Sequence, residues 1–576
     1  MDLIQVLSKQ VANQIAAGEV IQRPSSAVKE LIENSIDSGA DKIELYVKDA
    51  GKSLIKVVDN GSGMSVNDAK NCHKRHYTSK INKINDLFKI KTMGFRGEAL
   101  ASIASISMME IISKKIEDNI GIKIILNDGK IVEESEYVSQ NGTTINVKNL
   151  FYNVPARRKF LKSNNVELRH VTNSFIRIAL SNPDVEMHFH SDNKRILFLK
   201  KSNFRKRIID VIGSKKNELL VPINESTSLV SISGFIGKPE AAKRTRGEQY
   251  FFVNGRFIKN NYLNHAIHKG YSDLIGDKYF PSYFINLKIK SDLIDINIHP
   301  TKTEIKFENE KEIYAILRAT TRKSLGEYNI APSIDFAQEI AFQDNYATSK
   351  NNYITEPKIK VDKNYNPFNN EFPVKENIQN KQEDVIKFNF NNKNFQPIQF
   401  GNKFIIYVVN NEINIVHQRR AHKRILYEKI LKMKKESILS QKLIFEQIIE
   451  FSIDDVKIIE NIKKKLINIG FLIKIKDVNK VEFNSIPNNL KESDIKSTIE
   501  DIIELHKQNE NENTKINSEI AIALSNKLAI KSSRNLNTLE MNDLIKQLFA
   551  CENQYTCPSG KKIIKKITNS EIENNF

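Results

Sequence analysis

Glu30 and Asn34 are four residues apart in the run SSAVKELIENSIDSGA, so a helix there carries a carboxylate and a carboxamide on one face. A carboxylate held over a bound phosphate can take the proton from an attacking water. A neutral amide oxygen beside it suits Mg²⁺, which keeps several waters and shares its oxygen ligands with phosphate. Further along, Asp59 ends LIKVVD and leads into Gly61-Ser62-Gly63, a turn whose bare backbone lets a flat ring or a phosphate come close. A carboxylate at that strand end accepts from the exocyclic amine of adenine and rejects guanine, whose matching atom is an acceptor. Thr78, Ser79 and Lys80 add hydroxyls and an ammonium, and Gly94-Phe95-Arg96-Gly97-Glu98 opens a helix running through Ala99 to Ile103. The free N–H groups of a helix start welcome phosphate oxygens. Singly, each feature has a plain alternative: Glu30 as a solvated helix-face carboxylate, Asp59 as a turn cap, the glycine segment as an ordinary loop. Together they point to a nucleotide pocket.

The elements that must position these groups are legible from periodicity. Val28, Leu31, Ile32 and Ile36 recur at helical spacing, Gly39 follows the last of them, and KIELYVKD then alternates apolar and polar residues, which predicts helix, turn and strand. LIKVVD is a second strand. Upstream, VLSKQVANQIAAGEV reads as an amphipathic helix closed by Gly18. Downstream, SMMEIISKK, IGIKIILND and KIVEESEYV read as strands, and Gly142-Thr143-Thr144 opens another. Gly51-Lys52-Ser53 imitates the end of a P-loop, but Tyr46 stands where its first glycine belongs, which excludes Walker-type chemistry. From about 205 the pattern mixes helix and strand: SISGFIGKP, QYFFVNGRFIKN and YFINLKIKSDLIDINIHPTKTEIKF read as strands, with a helix over 261–274. Between about 342 and 399 the chain is crowded with Asn, Lys and Glu, a composition that buries too little to offset its ordering entropy and reads as a flexible linker. FGNKFIIYVVNNEINIVHQRRAHKRILYEKI then gives two strands and a helix, followed by helices over 454–474 and 541–549.

KELIENSIDSGA, DNGSG, TMGFRGEAL and NGTT, in this order, resemble the GHKL ATPases, the class of gyrase B, the heat-shock chaperones and the histidine kinases. With GFRGEALASI, FYNVPARRKFL and DINIHPTKTEIKF the chain is similar to the MutL family of DNA mismatch repair proteins, closely over 1–330 and more loosely over 395–576. The resemblance implies an α+β and α/β multidomain fold: a GHKL (Bergerat) α/β sandwich over 1–204, a ribosomal S5-like transducer domain over 205–335, a flexible linker over 336–395 and a small α/β dimerisation domain over 396–576. It implies an ATPase using ATP and Mg²⁺, with Glu30 as the base and Asn34 on the metal. Around the nucleotide it places Asp59, Gly63, Met64, Thr78, Ser79, Lys80, Gly94, Phe95, Arg96, Gly97 and Thr143. Lys302 would reach the terminal phosphate from the second domain, and the glycine segment would order only when ATP docks. Arg256 falls at a position that contacts DNA, and such contacts act on phosphates and weaken with salt. Arg157 and Arg158, with Lys159, form a basic triplet in FYNVPARRKFL that is read as a further DNA contact, with a solvated surface as the plain alternative. The partners implied are DNA, MutS, a second copy joined through the last domain with N-terminal arms exchanged in the ATP-bound form, and a sliding clamp, helicase or nicking endonuclease downstream.

Many members of the family carry a nicking nuclease in the last domain, built on Asp-Gln-His-Ala-x-x-Glu with a later Glu and Cys-containing motifs. Here His417 replaces the Asp, Arg419 the His, Lys423 the Glu and Asn526 a Cys, while Cys557 remains in CPSGKK. Cationic side chains at ligand positions repel a metal instead of binding it, so the nuclease is expected to be degenerate. SQKLIFEQ resembles a sliding-clamp-binding segment with Glu446 where proline is usual; an edge strand is the alternative.

The bulk properties are compatible with this. A chain of 576 residues exceeds one core, and roughly 150 residues per domain predicts about three or four. A net charge of +19 favours a polyanionic partner, although the richness in Lys, Asn and Ile accounts for part of it. Three cysteines exclude a disulfide framework, and no apolar run reaches membrane-spanning length. MDLIQVLSKQ does not read as a secretion signal, so a cytoplasmic, nucleoid-associated protein is expected. A chaperone of the same ATP-binding class fits less well, given FYNVPARRKFL and the basic excess; a topoisomerase needs a catalytic tyrosine and an acidic metal-binding domain, for which no segment matches.

Overall fold

The computed structural model describes residues 16–80, 92–94, 97–272, 274–295, 305–329, 396–409, 412–432, 440–508 and 516–573. The linker expected over 336–395 lies outside the described residues. The chain divides into two compact units, one comprising Met1–Ala331 with Glu450–Asn461 and Asp477–Lys480, the other Pro332–Ile449, Ile462–Lys476 and Val481–Phe576.

In the first unit, eight strands form one sheet: β1 (Lys42–Lys48), β2 (Leu54–Asp59), β3 (Met108–Lys114), β4 (Gly121–Asn127), β5 (Lys130–Tyr137), β6 (Gly142–Lys148), β7 (Glu186–Ser191) and β8 (Lys194–Leu199), in the order β5-β4-β3-β6-β2-β1-β7-β8. Only β1 and β7 run parallel. Strand periodicity sends Ile43, Leu45 and Val47, and likewise Ile55, Val57 and Asp59, to one face, where all are buried. Helices Pro24–Asp37 and Asn164–Ser181 pack against each other, and Val28, Leu31 and Ile32 of the first join Phe175 and Ala179 of the second in the core with those strand residues. Each buried Val, Leu, Ile or Phe among them contributes about 1.5–3 kcal/mol by leaving water. Pro24 occupies the first turn of its helix, where its missing N–H costs nothing.

The helix expected to close at Gly18 continues to residue 20. Gly18 serves a different need: a Cβ there would lie 1.6 Å from Nη2 of Arg157, so the guanidinium occupies the space that a side chain would take.

A second sheet, β9 (Leu220–Ser226), β10 (Ser231–Gly237), β11 (Gln249–Val253), β12 (Arg256–Ile258) and β13 (Tyr283–Lys288), runs β12-β11-β13-β10-β9. The Phe204–Ile212 helix ahead of it is anchored by Arg207, which is fully buried and donates to the carbonyls of Ala179, Asn182, Pro183, Val185 and Lys200. The helix expected over 261–274 is Asn261–Gly270. The backbone leaves helical geometry at Tyr271, whose side chain is buried and donates its hydroxyl to Gly237 O. Short strands β14 (Ile294–Asp295) and β15 (Lys306–Phe307) pair, and helix Glu310–Asn329 follows, packed on the Asn261–Gly270 helix and β9.

The second unit holds β16 (Ile398–Phe400), β17 (Phe404–Val409), β18 (Glu412–His417) and β22 (Ile564–Ile567) in one sheet of that order, and β19 (Ser440–Glu450), β20 (Leu472–Asp477) and β21 (Lys480–Pro487) in another ordered β19-β21-β20. SQKLIFEQ begins the edge strand β19. The helix expected over 454–474 is Ile453–Asn468; the chain turns at Gly470 and its last part is strand β20. The helix expected over 541–549 starts earlier, at Thr538, because Asn537 and Glu540 close a capping box there. Among the described residues, no helix is long and apolar enough to cross a membrane.

Candidate active site

Asp59 ends β2 on the helix-covered face, opposite Ile43 of β1 and Thr143 of β6. Its Oδ1 accepts from the backbone N–H of Gly61 at 3.0 Å and of Thr143 at 3.2 Å. Its Oδ2 accepts from Ser35 Oγ at 2.8 Å. Burial pushes the Asp59 carboxyl above its usual range, and the donors from Ser35, Gly61 and Thr143 offset this only in part. A carboxylate oxygen has about two acceptor sites, so Oδ2, with one donor, keeps one to offer. Next to it, Ser113 Oγ accepts from the Met64 N–H at 2.9 Å and pairs with Thr143 Oγ1 at 2.9 Å. Gly63 (φ +67) lies so close to β3 that a Cβ would stand 2.2 Å from Lys114 O. A cavity of about 260 Å³ at these strand ends is lined by Asp59, Gly142 and Thr143 but also by Lys42, Glu44 and Val58. Those last residues alternate with the inward ones, so the cavity opens on the opposite face of the sheet.

Ser35 belongs to the helix that carries Glu30 and Asn34. Glu30 is partly exposed and lies 3.2 Å from Lys29 Nζ, which also reaches Glu33 at 3.6 Å. Asn34 Oδ1 accepts from Lys80 Nζ at 2.9 Å, and the same ammonium lies 2.6 Å from Asp37 Oδ2. Asp37 also takes the N–H groups of Met93 at 2.8 Å and Gly94 at 3.1 Å. Thr78 Oγ1 accepts from the Lys80 N–H at 3.2 Å, Ser79 is exposed, and Gly97 O accepts from the His76 N–H at 3.1 Å. The fold thus brings Asn34, Lys80 and Gly94 to one place around Asp37. The sequence reading missed Asp37, although its position three residues beyond Asn34 and seven beyond Glu30 puts it on the same helical face.

Phe95, Arg96 and Lys302 lie outside the described residues. Arg256 donates through Nη2 to Thr92 O at 2.7 Å and Met93 O at 3.1 Å, so it grips the backbone whose N–H groups Asp37 receives. Arg157 reaches Ile21 O at 3.4 Å, while Arg158 is exposed on the short helix Pro155–Phe160.

In the second unit, Arg419 Nη2 donates to Asn526 O at 3.5 Å. Cys557 is buried in a core with Val416 and Ala421. The His417 N–H donates to Ile563 O at 2.9 Å, and burial with Arg420, Lys403 and Lys423 nearby holds its imidazole below the usual range. Gln418 is fully buried and donates to the carbonyls of Asn402 and Arg534 at 2.8 and 3.1 Å.

An antiparallel-rich sheet under two helices, one of them facing a strand-end aspartate with a Glu-x-x-x-Asn pair, defines a GHKL-type ATPase domain. The family described as "Histidine kinase-, DNA gyrase B-, and HSP90-like ATPase" matches residues 22–156. Residues 208–326 match "DNA mismatch repair protein, C-terminal domain", and 398–536 match "MutL C terminal dimerisation domain". DNA mismatch repair protein MutL of Christiangramia forsetii is 40% identical over 100% of both chains, and that of Flavobacterium psychrophilum 40% identical over 100% of this chain and 99% of its own. A solved structure titled "Aquifex aeolicus MutL ATPase domain complexed with ADP" is 28% identical, covers 47% of this chain and 93% of that one, and has a TM-score of 0.36. The chain belongs to the MutL family of DNA mismatch repair proteins, with an ATPase domain and a dimerisation domain.

Proposed function

We propose that the chain hydrolyses Mg·ATP between the Pro24–Asp37 helix and the ends of β2 and β6, and that this drives a homodimer to close on DNA and pass the MutS signal to downstream repair enzymes. The observation that carries the reading is the 2.8 Å bond from Ser35 to Asp59. It ties the carboxylate suited to adenine directly to the helix that carries Glu30 and Asn34, so base recognition and hydrolysis share one rigid element. In this reading Asp59 accepts from the adenine amine with Thr143 beside it, and Gly63 and Met64 form the floor. Thr78, Ser79, Lys80, Gly94, Phe95, Arg96 and Gly97 surround the phosphates, and Lys302 contacts the terminal one.

Glu30 takes the proton of the attacking water. Mg²⁺, when bound, supplies charge neutralisation for the triphosphate. Asn34 Oδ1 would hold it, a neutral oxygen of the kind Mg²⁺ prefers; in this structure Lys80 Nζ sits on that oxygen at 2.9 Å. The proposed organisation is ATPase over 1–204, transducer over 205–335, linker over 336–395 and dimerisation over 396–576, in a cytoplasmic protein. Arg157, Arg158 and Arg256 are the proposed DNA contacts, and salt-sensitive DNA binding is expected. The last domain is read as having lost the nicking nuclease, because Arg419 meets Asn526 as guanidinium to carbonyl, which offers a metal no ligand pair.

The test is Glu30→Ala. A general base is worth roughly 10²–10⁴-fold, so turnover should fall by that factor while ATP binding persists. Undiminished hydrolysis refutes the assignment.

A further inference from the structure

We propose that Lys80 is the resident cation of a metal position formed by Asn34 Oδ1 and Asp37 Oδ2, and that metal entry and the release of Lys80 toward the phosphates are a single exchange. The inference rests on the Mg·ATP reading above and adds Asp37 as the second oxygen group of the site. Lys80 Nζ stands 2.9 Å from Asn34 Oδ1 and 2.6 Å from Asp37 Oδ2, an oxygen pair of one neutral and one anionic group. That is a donor set suited to a hard divalent cation, and an ammonium already fills it. The Asp37 side chain is only 6% exposed, so its charge cannot be left uncompensated without a large penalty.

Asp37 Oδ1 also accepts from the N–H of Met93 at 2.8 Å, and Oδ2 from that of Gly94 at 3.1 Å. These fix the direction in which the carboxylate faces Asn34 and leave Oδ2 its second acceptor site for the cation. Gly94 borders the place closely: a Cβ there would lie 3.3 Å from Lys80 Nζ and 3.7 Å from Asn34 Oδ1. An ammonium and a divalent cation cannot share Asn34 Oδ1, because like charges at contact distance repel strongly. Arrival of the metal with its triphosphate therefore expels Lys80 at the moment when an anion is present to receive it. Asp37 is paired before and after the exchange. In this account Asp37 is a positioning residue for Lys80 in the nucleotide-free protein and a metal-site residue in the loaded one.

The experiment uses the nucleotide-free full chain and Mn²⁺ alone, with binding read by electron paramagnetic resonance. Lys80→Met and Lys80→Gln should each bind Mn²⁺ at least tenfold more tightly than the wild type, since the competing cation is gone. Lys80→Arg, which keeps the charge, should bind as weakly as the wild type, and adding Asp37→Asn to Lys80→Met should remove the gain. Failure of both neutral variants to gain affinity, or a gain that survives Asp37→Asn, overturns the exchange. Binding of a fluorescent ADP to the wild type is measured in parallel. Its absence would count against the ATPase reading itself, whereas ADP binding without a Mn²⁺ gain rejects only the exchange.

Discussion

Asp59→Asn is the most discriminating single substitution, because it exchanges one oxygen for an NH₂ group in an unchanged shape. Oδ1 can remain an acceptor for the N–H groups of Gly61 and Thr143, at 3.0 and 3.2 Å. The NH₂ then falls where Oδ2 was, 2.8 Å from Ser35 Oγ, and the hydroxyl can turn to accept from it. The apo fold thus loses little. Burial outweighs the hydrogen bonds and raises the Asp59 pKa. A carboxyl raised in the folded state contributes stability only below its unfolded pKa and loses it as pH rises through the folded value. At pH 8 the ionised carboxylate is therefore a burden, and Asp59→Asn should melt no lower than the wild type. ATP binding should behave in the opposite way.

The adenine amine would lose a charge-assisted bond worth about 1.5–3 kcal/mol and face a buried donor left unsatisfied at about 1–3 kcal/mol. Together these give about 2.5–6 kcal/mol, roughly two to four powers of ten in Kd. The new NH₂ should also suit the guanine oxygen, shifting the ratio of GTP to ATP affinity in favour of GTP. Calorimetric titration with a non-hydrolysable ATP and GTP analogue, beside a thermal melt, reads all three quantities. A folded variant that keeps its ATP affinity would show that the purine is recognised elsewhere.

Two further outcomes are expected. His422 accepts from the Ile530 N–H at 3.0 Å, and burial, with Arg534 and Lys429 nearby, lowers its pKa to about 4. Unfolding takes up a proton between about 6.5 and that value, so stability falls as pH drops through this window. His422→Asn, which retains an acceptor, should flatten the dependence of the urea midpoint on pH between 7 and 4.5, and an unchanged slope would contradict the assignment. Supercoiled plasmid incubated with the protein and Mn²⁺ should remain supercoiled; nicking that persists through repurification would restore a nuclease to the last domain.

The local part of the site was legible in the residues themselves. Helical spacing alone fixes Glu30 and Asn34 on one face, and the run LIKVVDNGSG places Asp59 at a strand end before a turn. The cationic side chains at 419 and 423 are likewise evident without coordinates. Other features required the assembled chain. Gly18 looked like a helix stop because glycine commonly is one, yet the helix runs on and the missing side chain accommodates Arg157. Arg256 was read as a DNA contact, and the fold turns one of its nitrogens onto Thr92 and Met93. Asp37 lay on the periodic face but carried no signal until Lys80, Met93 and Gly94 were seen to converge on it.

Sequence by itself determined which groups this protein has for handling a nucleotide and on which helix or strand each stands, because those facts depend on spacing within a few residues. Tertiary structure decided which groups meet. The link from Ser35 to Asp59 and the seat of Lys80 between Asn34 and Asp37 join parts of the chain 24 and more than 40 residues apart. Such distances are closed by packing a helix onto a sheet, and no local periodicity encodes them.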